Sequence, residues 1–94
     1  MDREKFRAEA KKTLNEFNEK ISILEAKAKK AQANLRADFD EKIDELKVKR
    51  DKVKERYDKL SGATDEKWVE VKAAFSAASD DFREGFSKLG SIFK

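Results

Sequence analysis

The sequence predicts an all-α protein, an antiparallel helical hairpin in which a long first helix packs against a shorter second helix. Residues 3–60 contain neither Gly nor Pro, the two residues that most disfavour a helix interior. Ser61-Gly62 then interrupts the pattern, and residues 64–94 again lack Pro. We therefore expect one helical domain over residues 1–94, with a helix over about 3–60, a turn at 61–64 and a helix over about 65–93.

The first predicted helix carries an apolar seam, called here the N-terminal seam. From Ala10 onward its residues recur at steps of four and three, which is the heptad pattern of a coiled coil. Beyond Leu35 the apolar residues continue in a different register, and the two four-residue steps from Leu35 to Phe39 to Ile43 predict a stutter. The N-terminal seam consists of Phe6, Ala10, Leu14, Phe17, Ile21, Leu24, Ala28, Ala31 and Leu35.

The predicted turn is followed by good signals for the start of a second helix. Gly62 suits the left-handed position that ends many helices, and Thr64 suits an N-cap. Asp65 and Glu66 would then lie in the first turn, where carboxylates complement the helix dipole. A connection this short makes an antiparallel hairpin the expected arrangement.

The second predicted helix is amphipathic, with an aromatic stripe on one face. In the hairpin this stripe would cover residues 39–60 and leave the N-terminal seam uncovered. An uncovered seam of that length is an association surface, so we expect a homo-oligomer, a dimer in the first instance, or pairing with another helical protein. The aromatic stripe consists of Trp68, Phe75, Phe82, Phe86 and Phe93.

A three-helix bundle is the alternative architecture. In it the chain would turn again near Asn34, and Asp38-x-x-Glu41 resembles a capping box at the start of a middle helix. Residues 29–37, KKAQANLRA, argue against this turn because they are helix formers without Gly or Pro. The hairpin is therefore the preferred prediction.

Composition restricts the function classes. The chain has no Cys and no His, and we find no phosphate-binding Gly-rich loop, so we expect no enzymatic activity, no metal site and no cofactor. The 46% of charged residues are of mixed sign and sum to +3, so binding of nucleic acid is not expected. Binding to a membrane surface through the aromatic stripe is the alternative function, since amphipathic helices can lie at lipid interfaces.

Several features of the chain resemble a group of small bacterial coiled-coil proteins that are linked to stress responses. These features are a Lys/Glu-rich long helix, the break Leu60-Ser61-Gly62-Ala63, the Trp of Lys67-Trp68 and a Phe-rich amphipathic end over residues 81–86. The resemblance implies a non-enzymatic helical protein of the cytoplasm, which agrees with an N-terminus that lacks the apolar core of a secretion signal. It implies no particular binding or catalytic residues.

Overall fold

Three α-helices form the fold of the computed structural model, which describes residues 3–90. Helix α1 spans Arg3–Lys29, α2 spans Ala33–Leu60 and α3 spans Asp65–Gly90, and no strand occurs among the described residues. The prediction of an all-α protein is confirmed. The prediction of one helix over about 3–60 is wrong, because the chain reverses after Lys29 and forms a three-helix bundle.

The reversal between α1 and α2 is a three-residue turn, Lys30 to Gln32. The amides of Lys30 and Ala31 donate to carbonyls three residues earlier, at 3.1 Å each, which tightens the end of α1. Gln32 then has an extended backbone, with φ −62° and ψ 148°. The turn lies just before Asn34, where the alternative prediction placed it, and the expected capping residue Asp38 lies inside α2.

Burial of the N-terminal seam explains why the chain turns where its residues favour a helix. Six seam residues are buried between α2 and α3, and complete burial of one large apolar side chain contributes about 1.5–3 kcal/mol. Interrupting a helix of good formers forfeits only a few tenths of a kcal/mol per residue, so burial of the four large seam residues, Leu14, Phe17, Ile21 and Leu24, outweighs it. In this structure a chain reversal between Lys29 and Ala33 therefore precedes the change of register at Leu35.

The bundle is an elongated rod with its core along the axis. Its principal extents are 51 × 18 × 17 Å, and α1 and α3 run parallel to each other and antiparallel to α2. Arg3 accordingly lies beside the second turn, where its guanidinium donates to the carbonyl of Ala63 at 3.2 Å and pairs with Asp65. The buried apolar residues are Ala10, Leu14, Phe17, Ile21, Leu24, Ala28, Phe39, Ile43, Leu46, Val53, Leu60, Trp68, Phe75, Phe82 and Leu89.

The second turn agrees with its prediction at both ends. Helix α2 ends at Leu60 and α3 begins at Asp65, so residues 61–64 connect them as expected. The expected left-handed backbone at Gly62 is wrong, because no Gly among the described residues has a positive φ. Residues 91–93, which the prediction included in the last helix, lie outside the described residues.

Thr64 forms the predicted N-cap of α3. Its Oγ1 accepts a hydrogen bond from the amide of Lys67 at 3.3 Å. We expect Thr64→Ala to lower the free energy of unfolding by about 1 kcal/mol, because that amide then keeps only the Thr64 carbonyl, at 3.1 Å, as an acceptor. Urea unfolding measures the change, and Thr64→Asp is the matched control because its carboxylate can accept the same bond. Equal stability of Thr64→Ala and the wild type would contradict the cap.

Candidate association surface

The N-terminal seam is covered by the protein's own helices. Its six central members, Ala10 to Ala28, are at most 8% exposed, Phe6 and Ala31 are partly buried, and Leu35 is 44% exposed. The expectation that the seam is uncovered is therefore wrong for this conformation. The physical reason is the turn after Lys29, which brings α2 back along α1 and places α3 against its other side.

The two helices that cover the seam approach α1 differently. Close backbone approaches join α2 to both α1 and α3, whereas α1 and α3 come close to each other at few points. Helices α2 and α3 pack closely at Gly85, where an added Cβ would lie 3.1 Å from Cδ2 of Leu46 and 3.3 Å from Cδ of Lys49. A Cβ there would require these two flexible side chains to shift by a few tenths of an ångström, so Gly85 suits the close approach of α2.

Aromatic rings fill the wider space between α1 and α3, and we call these contacts the aromatic interface. Phe6 meets Trp68 and Phe75 edge to face, with centroid distances of 5.6 and 6.0 Å. Phe17 stacks on Phe82 at 4.0 Å with 18° between the ring planes. Such ring pairs contribute about 0.5–1.5 kcal/mol beyond the area that they bury.

Cations cover the solvent side of the aromatic interface. Four cation–ring contacts occur among the described residues, and each of them joins α1 to α3. Each helix supplies two of the four cations, and an exposed contact of this kind contributes about 0.5–1 kcal/mol. The pairs are Arg3 with Trp68 at 5.0 Å, Lys20 with Phe86 at 4.6 Å, Lys72 with Phe6 at 5.4 Å and Arg83 with Phe17 at 5.4 Å.

The aromatic interface also contains buried polar atoms that lack partners. Nε1 of Trp68 and Oγ of Ser79 are buried and have no hydrogen-bond partner within the described residues. Ser79 lies on α3 and lines a groove shared with Phe6 and Ala10 of α1. An unsatisfied buried polar group costs about 1–3 kcal/mol, so this interface is less favourable than its ring contacts alone suggest.

The predicted membrane face lies mainly inside the bundle. Trp68, Phe75 and Phe82 are at most 7% exposed, and Phe86 is partly buried against the core. Phe93 lies outside the described residues. Among residues 3–90, no helix combines the length and the apolar character that crossing a membrane requires.

The large apolar residues that remain exposed are distributed over all three helices. Ile23 lies on α1, Leu35 and Val48 on α2, and Val69 on α3, with exposures between 44% and 74%. Val69 and Leu35 lie near opposite ends of the rod, because each is close to a different turn. Single exposed apolar residues are common on soluble proteins, so these four positions do not define a binding face.

The basic run of α2 pairs with acids, both across helices and within α2. Lys47 contacts Glu25 of α1 at 3.3 Å, and Lys49 contacts Asp81 of α3 at 3.0 Å. Lys54, Arg56 and Lys59 pair with carboxylates of α2 itself. This arrangement of neutralised cations differs from the one-sided basic face typical of helices that bind phosphates.

In the described part of the chain, no cluster of acidic residues is arranged to hold a metal ion.

Comparison with family models, with curated proteins and with solved structures found no match to this chain. The resemblance to bacterial coiled-coil proteins therefore stays a prediction. The functional proposals below depend on the geometry of the bundle alone.

Sequence reasoning identified the apolar residues of the α1 surface but missed its cations. The sequence pattern did not identify Arg3, Lys20 and Arg83 as partners of aromatic rings, although each covers an aromatic ring of another helix. Their positions in the sequence gave a partial signal, because Arg83 directly follows Phe82 and Lys20 comes three residues after Phe17. Only the parallel register of α1 and α3 determines which ring each cation reaches.

Proposed function

We propose that this protein is a non-enzymatic coiled-coil assembly module that associates through the N-terminal seam on α1, with a second copy as its partner. The observation that carries the proposal is the difference between the contact of α1 with α3 and the contact of α2 with α3. Its contact with α3 depends on rings and exposed cations and encloses unsatisfied polar atoms, whereas α2 and α3 pack closely at Gly85. Both α1 and α3 pack closely on α2, but α1 alone is linked to α2 by a turn whose residues favour a helix, so we infer that α1 is the element that leaves the bundle.

Release of α1 would expose the surface that the heptad pattern predicts for association. Its buried members range from Ala10 to Ala28 and lie on one side of a helix of 27 residues. The same release uncovers the inner faces of α2 and α3, which bind a seam of this shape in the closed bundle. Two open copies thus present complementary surfaces, so self-association needs no further partner.

The experiment that tests the proposal is the native mass by light scattering over a wide range of protein concentration. We expect a monomer at low concentration and a growing fraction of dimer as the concentration rises. A strict monomer at every concentration would overturn the proposal.

If α1 can leave the bundle, removal of one cation–ring contact between α1 and α3 should change the hydrogen exchange of the α1 amides. We expect Arg83→Ala to speed exchange of α1 amides about two- to fivefold, because the contact with the Phe17 ring is lost. Lys54→Ala is the matched control. Both residues make an exposed ion pair within their own helix, at 3.4 Å for Arg83 and 3.1 Å for Lys54, but only Arg83 covers a ring of another helix. Equal effects of the two variants on α1 would contradict the expected role of the ring contact.

Membrane binding is the other function that the sequence predicts, and it would require the aromatic stripe to leave the core. We expect no sedimentation of the protein with vesicles of zwitterionic or anionic lipid, because Trp68 and Phe75 are covered by Phe6 in the closed bundle. Sedimentation with either vesicle type would favour the membrane role over the assembly module.

A further inference from the structure

The turn between α1 and α2 is built from residues that favour a helix. The segment Lys29 to Ala37 contains no Gly and no Pro, and no residue among those described has a positive φ that would require a bend. The start of α2 is also weakly defined, because the side chain of Gln32 makes no capping hydrogen bond and the first turn has no acidic residue. Local sequence therefore opposes the turn, and contacts of the folded chain maintain it.

One side-chain contact holds the turn in its closed form. Nη2 of Arg36 donates to the carbonyl of Lys29 at 2.6 Å and so satisfies an acceptor at the end of α1. In a straight helix the same carbonyl would accept from the amide of Ala33, four residues later, and Arg36 would be released. The turn thus has two hydrogen-bonded alternatives, one bent and one straight.

We propose that two copies exchange α1, with residues 3–60 of each copy forming one continuous helix. This inference rests on the proposed function and specifies how the association occurs. Helix α1 of one copy would occupy the place between α2 and α3 that the partner's own α1 has left. The core contacts of the closed bundle are then remade between copies, which is the arrangement called domain swapping.

The dimensions of the exchanged dimer follow from the contacts of the closed bundle. A straight helix over residues 3–60 would be about 87 Å long, against the 51 Å length of the monomer. Asn18 contacts Arg50 and Glu25 contacts Lys47, so the midpoints between the paired residue numbers are 34 and 36. If the same residues pair between two long antiparallel helices, the symmetry axis of the dimer passes close to residue 35.

This symmetry gives a role to Leu35, the one seam residue that the closed bundle leaves largely exposed. Leu35 is 44% exposed in the monomer but would lie at the centre of the exchanged dimer, near its counterpart in the second copy. The heptad pattern that runs from Ala10 to Leu35 would then be continuous along one helix. The sequence pattern and the bent structure are both accounted for if the chain has these two states.

Ala33→Pro is the variant that separates the two states. Ala33 is the first residue of α2, a position that tolerates Pro, and the preceding Gln32 already has the extended backbone that Pro favours. In the straight helix, residue 33 would be interior, where Pro breaks the helix. We expect the monomer to unfold at an unchanged or slightly higher temperature, and the dimer to weaken more than about a hundredfold. Ala33→Ser is the matched control and should dimerise as the wild type does.

A second variant and a distance measurement complete the test. Leu35→Lys should weaken the dimer while leaving the monomer stable, and Val48→Lys, with 57% exposure, is its control.

Because the chain has no Cys, spin labels can be placed on Cys introduced at Lys12 and Lys52. With unlabelled protein in excess, labels on one chain should lie about 60 Å apart in the dimer, given 1.5 Å per residue along a straight helix. In the monomer the two labels lie on adjacent antiparallel helices, so the distance between them is much shorter.

The outcomes distinguish the inference from the proposed function. A dimer that is lost in Ala33→Pro, together with the long intrachain distance, supports the exchange. A dimer that persists in Ala33→Pro with a short intrachain distance overturns the exchange and leaves association as such intact. A wild type that is monomeric at every concentration overturns both.

Discussion

Ile21→Lys is expected to lower the free energy of unfolding by roughly 4 kcal/mol or more, because it removes a buried apolar side chain and places an unpaired charge in the core. Ile21 is 1% exposed and belongs to the part of α1 that α2 and α3 enclose. Urea unfolding followed by circular dichroism at 222 nm measures the change. The expected result is a protein that is largely unfolded at low denaturant.

Ile23→Lys is the matched control, because it makes the same substitution two residues away at a position that is 51% exposed. We expect its effect to stay within about 0.5 kcal/mol, as for most surface substitutions. The comparison also separates the bundle from the hairpin that the sequence favoured. In a hairpin with an uncovered seam, both substitutions would leave the fold stable, so equal and small effects would contradict the bundle.

Phe82→Ala is expected to cost about 3–5 kcal/mol, because the surrounding side chains cannot fill the space of an aromatic ring. Phe82 is fully buried, stacks on Phe17 of α1 at 4.0 Å and lies 6.5 Å from the ring of Phe86. Small domains have a total stability of about 5–15 kcal/mol, so this one substitution removes a large share of it. The midpoint of urea unfolding measures the loss.

The control for Phe82→Ala is Val69→Ala, a truncation at a position of the same helix that is 74% exposed. We expect it to leave the midpoint almost unchanged. If Phe82→Ala cost no more than Val69→Ala, the ring would not lie between α1 and α3, and the aromatic interface would be wrong.

The two turns show why one chain reversal was predictable and the other was not. The turn at 61–64 is encoded locally, by the break at Ser61-Gly62 and by the cap that Thr64 forms. The turn at Lys30 to Gln32 has no such local signal, since its residues favour a helix. Its traces in the sequence are the change of register after Leu35, which a stutter explains equally well, and a capping-box pattern at Asp38, which lies inside α2. Whether the chain forms a stutter or a turn depends on the burial of α1, and burial is a property of the whole fold.

The candidate surface was predictable to a similar degree. Heptad spacing identified all the α1 residues that are buried, because period alone determines which side of a helix is apolar. What covers those residues could not be read from spacing, since it depends on the path of the chain after Lys29. The contact between Arg36 and the Lys29 carbonyl was equally inaccessible, because it exists only once the turn has formed.

The parallel direction of α1 and α3 has a mechanical consequence. Arg3 lies at the end of the rod that contains the 61–64 turn, and the last turn of α3 lies at the other end. A tensile load between these two points acts along the 51 Å axis and drives the helices to slide past one another. Many side-chain contacts along the rod would then have to break together instead of one after another. The bundle is thus arranged to resist stretching more strongly than peeling of α1 from its side.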